Sequence, residues 1–197
     1  MQRTELFQLA QEQGGYFTAK QAAALGYTAN KRNYHVGAGN WIREHRGIYR
    51  LALFPPPDRP DLILWWLWSR GRSDSPVGVF SHQTALSLHE LTDANPAKLD
   101  LTVPPDFRKG SPIPSIVRLH FADVEADERE TISGVPATNA LRTIVDVWRD
   151  DTLPKPILQT AFREAFRTGK LTRGQITHAR KIPAISAIID VLEESPR

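Results

Sequence analysis

Four prolines fall within seven residues in Phe54-Pro55-Pro56-Pro57-Asp58-Arg59-Pro60. A proline ring locks φ and removes the amide donor, so neither a helix interior nor a central strand runs through such a stretch. An extended polyproline spacer is the expected conformation. The stretch divides the chain of 197 residues into an N-terminal unit over 1–54, a linker over 55–60 and a C-terminal unit over 61–197. No internal repeat or low-complexity tract competes with that division.

Charge follows the same boundary. The chain carries 25 Lys and Arg against 22 Asp and Glu, but residues 1–59 hold eight basic side chains and four acidic ones, while the remaining 138 residues hold 17 and 18. A compact basic segment beside a neutral one is the footprint of a protein in which one unit meets a polyanion; the alternative is a solvated basic face. With 41% hydrophobic residues the chain as a whole is not disordered. The absence of Cys excludes disulfides, thiolate nucleophiles and Cys-based zinc sites, and suits a reducing cytoplasm. Met1-Gln2-Arg3-Thr4-Glu5 leads straight into an amphipathic pattern with no signal-peptide run behind it. The most apolar run, Leu62-Ile63-Leu64-Trp65-Trp66-Leu67-Trp68, is far shorter than the roughly 20 residues of a membrane span and reads as a buried helix. A cytoplasmic protein with no membrane partner is expected.

Within the first unit, Leu6, Phe7, Leu9 and Ala10 recur at helical spacing until Gly14-Gly15. Thr18 with Gln21 three residues on predicts a capping box for a helix Ala19 to Leu25, ended by Gly26. Thr28 caps a third helix, Ala29 to Val36, ended by Gly37 and Gly39. Two short helices across a tight glycine-containing turn make a helix-turn-helix. Trp41-Ile42-Arg43 and Ile48-Tyr49-Arg50-Leu51, joined by Glu44-His45-Arg46-Gly47, then predict a β-hairpin. Helix-turn-helix followed by a hairpin is a winged helix, whose second helix enters the major groove while the wing meets phosphates.

At about 100° per residue, Ala29, Arg32, Asn33 and Val36 share one side of the third helix and Asn30, Lys31, Tyr34 and His35 the other. Val36 and Ala29 mark the first side as inward, with Arg32 laying its stem on the core and its head outward. The second side is the expected groove face: Asn pairs with adenine, Lys with guanine or phosphate, and Tyr and His contact backbone or stack. His35 equally suits packing against Trp41. Arg43, His45 and Arg46 on the hairpin neutralise phosphates in this reading, and Thr18, Lys20 and Thr28 at the helix starts complete the expected DNA-binding set.

The run Gly15-Tyr16-Phe17-Thr18-Ala19-Lys20-Gln21-Ala22, then Gly26-Tyr27, Tyr34-His35-Val36, Gly39-Asn40-Trp41 and Arg46-Gly47-Ile48-Tyr49-Arg50-Leu51 resembles the AbiEi family, the antitoxins of type IV toxin-antitoxin systems. Phe80-Ser81-His82-Gln83-Thr84-Ala85-Leu86, Leu99-Asp100-Leu101-Thr102-Val103-Pro104, Val135-Pro136-Ala137-Thr138 and Leu141-Arg142-Thr143 look like later landmarks of the same family in the same order. The resemblance covers about residues 5 to 150. It implies a bacterial regulator of phage defence, with an N-terminal winged helix that represses its own operon at promoter repeats on double-stranded DNA. It also implies a C-terminal domain that counteracts a co-encoded nucleotidyltransferase-like toxin. Family members often carry apolar residues where this chain has Lys31 and Arg32.

Downstream the pattern alternates helices and strands. Ser81 caps a helix through Leu91. Lys98 to Val103 alternates like a half-buried strand, as does Ile116 to Phe121, and Glu130 to Ile132 makes a third. Thr138 to Trp148, Ile157 to Arg167, Thr172 to Lys181 and Ala184 to Glu194 read as helices. The expected fold class is therefore α+β: an N-terminal winged helix-turn-helix joined by a Pro-rich linker to a mixed α/β domain.

Catalytic signals are sparse. His82 and His89 share a helix face that His120 on a strand approaches, but an i, i+4 pair or clustered carboxylates are lacking, so no metal site is expected. Asp123, Glu125, Asp127, Glu128 and Glu130 read as a solvated acidic loop. No Asp or Glu is followed two places later by Lys, which removes the usual nuclease carboxylate and lysine, and no GK[ST] loop or G-x-S-x-G elbow is present. The expectation is a non-enzymatic, cofactor-free DNA-binding autorepressor and antitoxin. The alternative is a winged-helix regulator whose second domain senses a ligand or binds another protein.

Overall fold

A computed structural model describes residues 2–71, 74–93 and 96–194. The outermost residues of the two expected units, 1 and 195–197, lie outside them. The chain forms two compact units, Met1–Gly78 with Ser133–Val135, and Val79–Ile132 with Pro136–Arg197, and is mixed α+β throughout.

In the first unit the order is α1 (Gln2–Glu12), β1 (Tyr16–Thr18), α2 (Ala19–Ala24), α3 (Ala29–Gly37), β2 (Trp41–His45), β3 (Ile48–Leu51) and α4 (Pro60–Trp68). The three strands form an antiparallel sheet ordered β1-β3-β2, with Phe17 opposite Tyr49 and Arg43 opposite Tyr49 on the other side. β1 is too short for alternation to announce it, and all three of its residues are buried. Gly47 at φ 74° makes the hairpin turn, next to a register shift between Arg43 and His45. That bulge lets β2 extend two residues past the expected Arg43.

The core of this unit is aromatic. Phe17, Tyr27, Trp41 and Tyr49 are buried with Leu6, Ala10 and Ala22. Phe17 meets Trp41 edge-on at 4.7 Å, and Tyr27 lies 5.1 Å from Trp41. The Gly14-Gly15 turn does more than end α1. Gly15 has φ 90°, and a β-carbon there falls 2.6 Å from the Phe54 ring, so only glycine lets the ring close over the turn.

The division of the chain differs from the sequence expectation. Residues 55–59 hold no regular secondary structure and Pro60 occupies the first turn of α4, where a missing amide costs nothing. α4 packs on β1 and β3, so the apolar run expected to open the second unit completes the first. Leu62, Ile63, Leu67 and Trp68 are buried. The boundary thus falls after Gly78, and the prolines lie inside the first unit. The added residues bring as many basic as acidic side chains, so the positive excess of that unit is unchanged.

The second unit has a five-stranded mixed sheet ordered β6-β5-β4-β8-β7, built from β4 (Val79–Phe80), β5 (Leu99–Val103), β6 (Val117–Phe121), β7 (Arg129–Ile132) and β8 (Val135–Thr138). β5 runs parallel to β6 and antiparallel to β4, and β4 pairs with β8 in parallel. β5 was expected to be half-buried, but all five residues are buried, Asp100 and Thr102 included. Neighbouring strands pair both edges of β5 and α5 packs on it, and its polar side chains are satisfied by partners, Asp100 by His120 and Thr102 by Ser81. The helices are α5 (His82–Leu88), α6 (Ala140–Arg149), α7 (Lys155–Arg167), α8 (Arg173–Ala179) and α9 (Pro183–Glu193). Leu86, Ile144, Leu158, Phe162, Ile189 and Leu192 anchor their shared core.

Candidate nucleic-acid interface

The α2–turn–α3 segment is fixed by local bonds. The Thr18 hydroxyl accepts from the Gln21 amide at 3.1 Å while Gln21 Oε1 accepts from the Thr18 amide at 2.7 Å, the reciprocal cap expected from sequence. Thr28 Oγ1 accepts from the Lys31 amide at 3.4 Å. Arg32 donates to the Tyr27 carbonyl at 2.7 Å, which ties the start of α3 to the turn before it.

The faces of α3 divide differently from the helical-wheel expectation. Arg32, His35 and Val36 are the partly buried residues, whereas Ala29, Asn30, Lys31, Asn33 and Tyr34 are exposed. The His35 ring stacks on Trp41 with centroids 4.7 Å apart and planes 15° apart, and its Nδ1 lies 3.3 Å from Asn40 Nδ2. His35 therefore belongs to the inward side, because stacking on a buried indole outweighs leaving the ring in water. Asn33 takes its place outside.

The other expected site residues separate in the same way. Lys20, Thr28, Asn30, Lys31, Tyr34, Arg43 and Arg46 are exposed, Tyr34 at 69%. Lys20 lies 3.6 Å from Asp74. Among the described residues Lys31, Arg43 and Arg46 make no salt bridge, whereas Arg50 is held by Glu44 at 2.8 Å. Thr18 is fully buried, so its part is the cap and not a contact with a ligand. His45 is half-buried, its ring edge-on to Trp65 at 5.5 Å, with Nδ1 buried and without a hydrogen bond among the described residues. It faces α4, which the sequence had placed in another unit. The exposed polar set is thus Asn30, Lys31, Asn33 and Tyr34 on α3, with Lys20 on α2, Thr28 at the N-cap of α3, and Arg43 and Arg46 on the hairpin. Ala29, whose apolar side chain points to an inward place for Asn33 as well, is itself exposed.

In the second unit, His89 does not join the other histidines. Its Nε2 donates to the Thr138 carbonyl at 2.8 Å and lies 3.6 Å from Glu130. His82 and His120 do come together, their rings stacked at 3.5 Å with planes 13° apart. Burial, and then the neighbouring His120, push the His82 imidazole below its ordinary pKa, against the carboxylates of Asp146, Asp150 and Asp100. Ser81 stands at the N-cap of α5 but makes no capping bond there; its Oγ lies 2.9 Å from His82 Nδ1 and accepts from Thr102 at 2.7 Å.

The acidic segment is more structural than the expected solvated loop. Glu125 and Glu128 cap a 3-10 turn over Ala126–Glu128. Glu128 accepts from Arg142 at 2.6 Å, and the same guanidinium bonds both oxygens of Asp146 at 2.8 and 3.0 Å.

Residues 5–52 match the model of a family described as transcriptional regulator, AbiEi antitoxin. The matched span ends within the loop after β3 and takes in every exposed residue of the candidate interface. No curated protein matches the chain.

Proposed function

We propose that the chain is a DNA-binding transcriptional autorepressor and an antitoxin of a type IV toxin-antitoxin system, acting in the bacterial cytoplasm without catalysis. The N-terminal unit is a winged helix-turn-helix in this reading, with α3 in the major groove and the β2–β3 hairpin along the phosphates. The observation that carries it is the order of α2, a capped turn, α3 and hairpin, with Lys31, Arg43 and Arg46 exposed and outside any salt bridge among the described residues and the amides Asn30 and Asn33 exposed on α3. The family match over residues 5–52 supports the same assignment. Cations outside any salt bridge among the described residues, with Lys31 Nζ held only by the Gly26 carbonyl at 3.4 Å, are available to phosphate, and side-chain amides read adenine edges.

The second unit counteracts a co-encoded nucleotidyltransferase-like toxin. A different reading, in which it senses a ligand, is favoured by a cavity of about 630 Å³ lined by Phe162, Phe166, Ile176, Arg163 and Arg173. That size suits a small molecule.

Binding of the full-length protein to the duplex upstream of its gene tests the first part. If three cations each neutralise one phosphate, a plot of log affinity against log salt has a slope of about −2.7. A salt-independent affinity, or equal affinity for shuffled duplex, contradicts it. Co-expression with the neighbouring nucleotidyltransferase-like gene tests the second part. Growth is expected to be rescued by the wild-type chain and also by Lys31→Ala/Arg46→Ala, whose operator binding is expected to be weakened. Failure of both to rescue favours the ligand-sensing reading.

A further inference from the structure

We propose that His82, His120 and Asp150 form a mononuclear binding site for a divalent transition-metal ion, with zinc the best match to the donor set. The three residues come from the start of α5, from β6 and from the end of α6. His82 Nε2 lies 3.5 Å and His120 Nδ1 3.7 Å from the same oxygen, Asp150 Oδ2, and the three donor atoms lie within 4.8 Å of one another. Tetrahedral zinc with bonds near 2.0–2.2 Å places its ligand atoms about 3.4 Å apart, so the two nitrogen–oxygen separations are already close to those of a coordinated set.

What distinguishes this group from a chance meeting of polar side chains is the treatment of the remaining nitrogens. His120 Nε2 is 2.9 Å from Asp100 Oδ1, and the Asp100 side chain is almost wholly buried. With the proton held there, the Nδ1 lone pair is left pointing towards Asp150. His82 Nδ1 meets the Ser81 hydroxyl, itself held by Thr102, and with that proton donated to Ser81 the Nε2 lone pair likewise faces Asp150. Fixing the tautomer of each imidazole from behind with a buried oxygen is how proteins orient histidine ligands. His82 also sits at φ 50°, a conformation costly for a side chain with a β-carbon, and such strain collects where a side chain must be aimed.

Two imidazoles and one carboxylate select a borderline ion over magnesium or calcium, which prefer all-oxygen sets. The Asp150 side chain is 38% exposed while His82 and His120 are mostly covered, so the ion enters past Asp150 and keeps a coordination position for water. The stacked rings have lone pairs in nearly parallel planes, so binding turns them towards each other about their Cβ–Cγ bonds. All three ligands belong to the second unit.

Calorimetric titration of Zn²⁺ into the full-length protein, made without a histidine tag, tests the proposal. One ion per chain is expected, with Co²⁺ giving the visible absorption of a four-coordinate site. Asp150→Asn and His120→Ala each weaken binding at least 100-fold, and Asp100→Asn weakens it about 10- to 100-fold through the orientation of His120. His178→Ala, outside the cluster, leaves binding unchanged. Because His120 is partly buried, the surface substitution Asp150→Asn keeps the test open should His120→Ala fail to fold. Absence of binding by the wild type, or equal binding by wild type and Asp150→Asn, overturns the proposal.

Discussion

Trp41→Ala is expected to destabilise the protein by about 3–5 kcal/mol, the usual cost of deleting a large buried aromatic side chain. Trp41 is 4% exposed and lies between Phe17, Tyr27, His35 and Tyr49, with ring centroids 4.7 to 6.0 Å away. Each aromatic pair contributes about 0.5–1.5 kcal/mol beyond burial. Domain stabilities are of the order of 5–15 kcal/mol, so this one change removes much of what holds α3 against the sheet, and the DNA binding proposed for α3 is expected to be lost with it. Tyr34→Ala on the exposed side of the same helix is expected to shift stability by less than about 0.5 kcal/mol. Urea unfolding followed by far-ultraviolet circular dichroism separates the two; a loss below about 1 kcal/mol for Trp41→Ala shows that the aromatic cluster does not hold the unit together.

The second large effect is expected at Arg142. Its side chain is 16% exposed and joins Asp146, 7% exposed, to Glu128. Burial works against the charge of the guanidinium, but Asp146 and Glu128 more than offset it, and its pKa is raised. Arg142→Met leaves the Asp146 carboxylate buried without its partner and frees the 3-10 turn that Glu128 anchors, at a cost of about 3 kcal/mol or more. Adding Asp146→Leu to Arg142→Met should recover most of that loss, because replacing a whole buried pair by apolar groups is often neutral. Equal instability of the single and double variants in the same unfolding experiment contradicts this account.

Helices were readable in the sequence because their signals are local. Thr18 and Gln21 form the capping box that their spacing encodes, and α6 to α9 begin and end within a few residues of expectation. Strands whose existence depends on distant partners were not. β1 and β4 have three and two residues, too few for alternation, and β8 contains Pro136, a residue that argues against a strand until Ala137 is seen opposite Phe80. The run Leu62–Trp68 announced that it would be buried but not against what, so its place on β1 and β3 emerged only in three dimensions.

The candidate interface shows the same limit. The exposed Lys20, Thr28, Asn30, Lys31, Tyr34, Arg43 and Arg46 are legible in the sequence, and His35 takes the second of its two expected places, on Trp41, whereas nothing local shows that Thr18 is buried or that His45 turns towards Trp65. The meeting of His82, His120 and Asp150 likewise depends on the sheet order, which brings β6 beside β5 and the end of α6 to the same place.

Lys31 on α3 and Arg46 on the hairpin are the phosphate-neutralising groups of the proposed function. Both are exposed and outside any salt bridge among the described residues, so their removal is not expected to disturb the fold. Affinity of full-length Lys31→Ala/Arg46→Ala for the upstream duplex, measured against wild type across a salt series, is the direct test. The predicted result is at least a tenfold weaker complex at low salt, with the log–log salt slope shallower by about 1.8, at an unchanged circular dichroism spectrum. The same affinity and the same slope as wild type would contradict it.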